Sequence, residues 1–280
     1  MPSVRLEDDA TMHYADDDFA DPWLPHETVV LVHGFAESDA AWFAWVPPLG
    51  RRFRVIRPDL RGFGRSTVPA DPASYPWSPA NFARDLVTLL DGLELPAAHI
   101  VGSRVGSAVS LQLAAEHPDR VLTLSLVSGL ARSGHLRGLT SADGSRIPLN
   151  DFSDHIRRGG AAAWMANTGR SRLGSGVSDA QLDWWNALMS QSDDGVCAAV
   201  IAAATQIDLI ESLPRITAPT LVLASAESQA QTVEATREWQ ERIAGSELQV
   251  LDGDSPHLAA ERPEDCAARV LDFIGRRHPT

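Results

Sequence analysis

The 280-residue chain has only two cysteines, Cys197 and Cys266, far apart and without metal or redox spacing. No disulfide framework is expected, and two buried free thiols suit the cytosol, so a cytoplasmic location is expected. No apolar run is long enough to span a bilayer, and the opening MPSVRLEDD lacks the apolar core of a signal peptide, so no membrane partner is expected. Positive charge is also short. With 24 Lys and Arg against 37 Asp and Glu, the net charge of −13 argues against nucleic acid. No metal-ligand cluster and no nucleotide-binding glycine motif in the first strand–helix unit can be found, so no cofactor is implied. What remains is ordinary globular composition, 44% hydrophobic and 22% charged, in a chain long enough for a substantial core. The expected partner is a small-molecule substrate, and the expected state a monomer or homodimer.

The order of apolar runs and punctuation gives the organisation. Residues 4–16 look like a short hairpin. The run TVVLV at 28–32 is apolar without alternation, which fits a fully buried parallel strand, and it ends in His33-Gly34-Phe35. A second run at 53–56 leads into the loop DLRGFGRS at 59–66, where Arg61, Gly62 and Gly64 are expected to brace the turn. Ser78-Pro79 opens a helix whose Phe82, Leu86, Leu89, Leu90 and Leu93 share one face. Strands at 121–127, 219–224 and 247–251 and helices near 232–244 and 263–274 continue the alternation. Residues 130–212 interrupt it with helical patches at 150–166, 179–190 and 196–213. Strand–helix alternation implies a parallel sheet covered on both faces. The fold class expected is α/β: a mostly parallel, doubly wound sheet of about eight strands, with residues 1–129 and 213–280 as core and 130–212 as an inserted helical cap.

The stretch AHIVGSRVGSAVSLQ at 98–112 reads as strand, turn and helix, with Gly102 and Gly106 two residues either side of Arg104. A sharp strand-to-helix turn needs small residues there because side chains would collide with backbone. A G-x-S-x-G elbow exposes a serine at its centre; here the centre is arginine, which has no lone pair for attack. Ser103 as an alternative centre would put Val101 and Val105, both β-branched, at the tight positions.

In order and spacing, HGF (33–35), DLRGFGRS (59–66), the elbow, the interrupted segment, PTLVLAS and GDSPH resemble an α/β-hydrolase of the small capped type over nearly the whole chain. The resemblance implies an oxyanion hole from the N–H groups of Phe35 and Val105, which needs no particular side chain. It places the acid at Ser228 by direct count, with Glu227 the adjacent carboxylate and Asp252 and Asp254 further loop charges. It places the base at or beside His257, with one residue fewer than usual before Glu261. For Arg104 two readings stand: the guanidinium turns away and pairs with a carboxylate, or it binds a carboxylate or enolate beside the helix N-terminus. Ser103, Trp164 and Trp184 are the candidate substrate contacts, with packing the alternative for the tryptophans and for Trp185.

Three functions follow. The first is an enzyme on a small anionic or enolisable carbonyl compound (lactone or ester hydrolysis, C–C cleavage, or a lyase or cyclisation step) without a serine acyl-enzyme, with His257 as base, Glu227 orienting it, and Arg104 plus the two N–H groups holding the anion. The second is a hydrolase-like ligand-binding or regulatory protein. The third is a conventional serine hydrolase using Ser103.

Overall fold

The structure, a computed structural model, describes residues 2–228 and 230–278. Strand β1 (Ser3–Arg5) pairs antiparallel with β2 (Thr11–Asp17), the hairpin expected at the N-terminus. β3 (Thr28–Val32) follows, then the short helix α1 (Val46–Gly50), β4 (Arg54–Pro58) and helix α2 (Pro79–Gly92). The Ser78 hydroxyl caps α2 by accepting from the Asn81 N–H at 3.2 Å, the cap that the Ser-Pro pair implied. β5 (Ala98–Ser103), α3 (Val105–Glu116) and β6 (Val121–Val127) complete the first half. A two-stranded hairpin, β7 (Leu139–Thr140) with β8 (Arg146–Ile147), begins the excursion from the sheet. Helices α4 (Phe152–Leu173), α5 (Asp179–Met189) and α6 (Asp194–Ala204) make up most of it, and we refer to them as the cap. β9 (Thr220–Ser225), α7 (Val233–Gln240), β10 (Glu247–Leu251), α8 (Leu258–Glu261) and α9 (Pro263–Arg277) return to the sheet.

The main sheet has eight strands in the order β1-β2-β4-β3-β5-β6-β9-β10. From β4 to β10 every pairing is parallel, and β2 joins β4 antiparallel. Alternate residues of the central strands feed two cores. Val30, Val32, Ile56, Ile100, Leu124 and Val222 pack with α2 and α3 on one face. Val29, Leu31, Val55, Val101, Leu221 and Leu223 pack with α1 and α9 on the other. Both faces being dry explains why these strands read as continuous apolar runs.

The cap departs from its sequence reading in detail. The helix expected at 196–213 stops at Ala204, because the chain turns there to bond back to the loop after β6: Ser133 N–H reaches Ile207 O and Leu209 N–H reaches Ala131 O, both at 2.9 Å. The α4 helix breaks at Gly160, whose φ of 82° only glycine adopts readily, and restarts where Ala161 N–H meets the Asp194 carboxylate at 2.6 Å.

The tightest point of the fold is the β5–α3 turn. A Cβ on Gly106 would collide with the backbone carbonyls of Val32 and His33, and one on Gly102 with Ser110 Oγ and Gly106 O. Gly106→Ala is therefore expected to lower unfolding free energy by about 3 kcal/mol or more in a denaturant titration, since the obstruction is backbone and cannot rotate away. Loss of under about 1 kcal/mol would mean that the turn is looser than described.

Candidate active site

Arg104 occupies the turn with φ 53° and ψ −116°, a conformation costing a non-glycine residue about 1–3 kcal/mol. The two flanking glycines permit it, and the Arg104 N–H donates to Val127 O at 3.2 Å on the neighbouring strand. The side chain is part-exposed into a cavity and otherwise enclosed by protein. Its Nη1 donates to Pro256 O at 2.5 Å. Nε and Nη2 have no hydrogen-bond partner among the described residues. Burial lowers the guanidinium's pKa, and the charge of nearby Glu37 opposes that. No carboxylate lies within ion-pair distance of it among the described residues, so the guanidinium does not turn away to a counter-ion.

His257, at the loop leading into α8, is 2% exposed and lines the same cavity. Its Nε2 lies 2.7 Å from Glu37 Oε1, and Glu37 Oε2 accepts from the Gly34 N–H at 3.0 Å. Burial raises the Glu37 pKa, but the charge and hydrogen bond of His257, the charge of His33 and the Gly34 N–H together outweigh it, and the net shift is downward. An ionised Glu37 requires Nε2–H on His257, so in the neutral imidazole the lone pair is on Nδ1, a buried atom without a partner among the described residues. Ser255 Oγ accepts the His257 N–H at 3.0 Å, and the Trp185 ring lies 5.2 Å from the imidazole. Gly34 has to be small: a Cβ there would stand 2.7 Å from Glu37 Oε1.

The carboxylate beside His257 is thus Glu37 and not Glu227. Glu227 is exposed; its backbone is tied to Gly253 O at 2.9 Å, and its side chain does not line the cavity. Glu37 escaped the sequence reading because it lies 220 residues from His257 in the chain. The one local signal was its i+3 spacing from Gly34, which lets the side chain fold back onto that N–H. Asp254 holds the Ser175 N–H at 2.9 Å, a loop contact.

Phe35 and Val105 both line the cavity, and neither N–H has an acceptor among the described residues; Val105 is the first residue of α3, where a free N–H is expected. His33 fixes the first of these loops, with Nδ1 on Gly34 O at 2.7 Å and Nε2 accepting from Leu60 N–H at 2.9 Å. Trp164 is buried against Phe152 and lines the cavity. Two other expected contacts are corrected. Ser103 is fully buried as the last residue of β5, with Oγ unpartnered and outside the cavity, because alternation along the strand turns it away from the pocket. That placement also removes Ser103 as a nucleophile. Trp184 is 40% exposed and packs at the surface between Phe43, tilted at a ring distance of 4.9 Å, and the edge of the Trp185 ring at 5.2 Å, outside the cavity.

The cavity measures about 100 Å³ and its walls are mainly apolar, Leu130, Leu136, Leu139, Phe152 and Ile201 among them. One residue that the sequence did not flag joins it: Arg172, near the end of α4. Groups with metal-ligating side chains lie elsewhere. Glu27, His99 and His278 are hydrogen-bonded together, and His13, Asp39 and Asp59 form a second group partly neutralised by Arg65. Both cysteines are buried, with pKa values pushed up to about 12, so neither supplies a thiolate.

Comparison with known proteins agrees with the fold. The family model of the alpha/beta hydrolase fold matches residues 27–262. A putative carbamate hydrolase RutD from Caulobacter sp. (strain K31) is 28% identical over 256 residues, 90% of this chain and 92% of that one. A 2-hydroxymuconate semialdehyde hydrolase from Pseudomonas sp. (strain CF600) is 37% identical over 107 residues, 35% of each chain. The crystal structure of the enol-lactonase from Burkholderia xenovorans LB400 superposes with a TM-score of 0.83 at 24% identity, covering 98% of this chain and 99% of that one. The chain belongs to the alpha/beta hydrolase fold family.

Proposed function

We propose that this protein is an enzyme that performs general-base chemistry on a small anionic or enolisable carbonyl compound, without a covalent acyl intermediate. The observation that carries the reading is the buried Glu37–His257 pair beside a guanidinium seated where the fold otherwise presents a hydroxyl. In the step proposed, His257 Nδ1 takes a proton from a carbon next to the carbonyl, or from a water that attacks it. The electron pair ends on the carbonyl oxygen. Arg104 Nε and Nη2, with the Phe35 and Val105 N–H groups, hold that oxyanion, and Glu37 stabilises the imidazolium formed. A serine acyl-enzyme has no nucleophile at the elbow, and the chain contains no lysine, which removes a Schiff-base route.

The names of the relatives support the substrate class. A carbamate, a semialdehyde and an enol lactone are all small carbonyl compounds. Ligand binding without turnover is the rival reading. It is favoured by the burial of Nδ1, which a substrate would have to reach.

Turnover of a 1,3-diketone or enol lactone should fall about 10²–10⁴-fold in His257→Ala, the usual size of a general-base contribution. Full activity in that variant would remove His257 from the role. Arg104→Met should lose enolate binding, seen as loss of the near-ultraviolet enolate band of acetylacetone. It should also leave the ligand-free protein as stable or about 1–3 kcal/mol more stable, because an enclosed charge without a counter-ion is gone. A large destabilisation would instead make Arg104 a structural residue. For Glu37→Gln, the folded-state pKa of the lost carboxyl lies below its ordinary 4.5, so its contribution is complete above that pH. The stability difference between wild type and variant in urea should shrink as pH falls through that lowered value. A difference independent of pH would contradict the ionised pair.

A further inference from the structure

A buried arginine that only supports the fold has a recognisable form in this chain. Arg61 is 4% exposed, and Asp85 grips it through both carboxylate oxygens, Nε to Oδ2 at 2.8 Å and Nη2 to Oδ1 at 2.9 Å. Asp8 meets its Nη1 at 3.1 Å. Arg172 is equally buried, at 4% exposed, and has none of this. Its Nε donates to Thr168 Oγ1 at 3.0 Å, and its Nη2 to Met165 O at 3.1 Å and Asn186 Oδ1 at 3.2 Å. Among the described residues Nη1 meets only the thioether of Met189, a weak acceptor, at 2.7 Å. Every partner is neutral, and no carboxylate lies within ion-pair distance among the described residues. Four of the five N–H groups are used, which leaves one on Nη1, and Met189 lines the cavity with Arg172.

We propose that Arg172 is a second anion seat in the cavity, which binds a carboxylate that the substrate carries apart from its reacting carbonyl. The proposal rests on the reading of the site given above and narrows its substrate class. Arg104 belongs to the sheet and meets the oxygen that becomes charged. Arg172 belongs to the cap and meets a charge that is present from the start. Between them the walls are apolar, formed by Leu130, Leu139, Phe152, Trp164 and Ile201. A ligand that matches this distribution is an oxo acid with a short hydrocarbon body, its carboxylate at the cap and its enolisable carbonyl at the elbow. Burial holds the Arg172 guanidinium down to about 9, and the Arg104 charge adds to the effect; Glu37 opposes both. Two guanidiniums against one carboxylate leave the site one negative charge short, and a carboxylate ligand supplies it.

Succinylacetone, a 1,3-diketone with a remote carboxylate, and its methyl ester test the proposal by titration calorimetry and, where turnover occurs, by kinetics. Wild type should bind the acid about 10- to 100-fold more tightly than the ester, the usual size for one charge-assisted contact. Arg172→Met should erase that preference by weakening the acid and leaving the ester unchanged, with KM raised and kcat largely kept. Arg172→Lys should restore part of it. His257→Ala should keep the preference while losing turnover; retained turnover there would overturn the base assignment and leave the second seat standing. The proposal is overturned if wild type does not distinguish acid from ester, a result that needs no variant to fold. It is equally overturned if a folded Arg172→Met keeps the preference.

Discussion

A positive charge enclosed at the end of β5 is the constraint on which the site depends. Removing a guanidinium from water is costly unless an anion or several hydrogen-bond acceptors meet it. Among the described residues Arg104 has one such acceptor, Pro256 O, and feels Glu37 only through space, because the oxygens of that carboxylate are engaged by His257 and the Gly34 N–H. The backbone at Arg104 adds strain to this cost. A turn that had lost its purpose could relax to an unstrained residue with a neutral side chain. Glycines 102 and 106 keep the turn sharp, and the turn keeps the guanidinium in the cavity.

The proposed base, His257, is held in reverse of the familiar triad. There the acid holds the imidazole at Nδ1 and the ring works through Nε2 toward the serine. In this chain the acid comes from the loop after β3, the loop that also carries Phe35, and it holds Nε2. In the proposed mechanism one element therefore provides both a donor for the oxyanion and the carboxylate that orients the base. The position after β9 where a family acid would stand is occupied by Ser228, which lines the cavity without charge.

Much of this was legible in the chain. Continuous apolar runs at 28–32, 121–127 and 219–224 gave the strands, because a parallel sheet buried on both faces has no polar side to alternate with. The glycine pair at 102 and 106 gave the turn, and the motif order gave the family. The carboxylate partner was not legible, since sequence distance carries no information on which loops meet across the ends of a parallel sheet. Glu227 stands one residue before the position to which the family pattern points, Ser228, and faces solvent. The cap was the least legible part. Its helices are set by contacts such as Asp194 restarting α4 at Ala161, which no periodicity announces. Arg172 is one of several arginines in that segment, and only its neutral surroundings distinguish it.

The central claim is that the elbow seats an anion and not an acyl group. A crystal structure of the protein with acetylacetone bound measures this most directly. An enolate oxygen is expected at about 2.7–3.1 Å from the Phe35 and Val105 nitrogens and within hydrogen-bond reach of Arg104 Nε or Nη2. A guanidinium turned outward into solvent, with the ligand absent from the elbow, would contradict it.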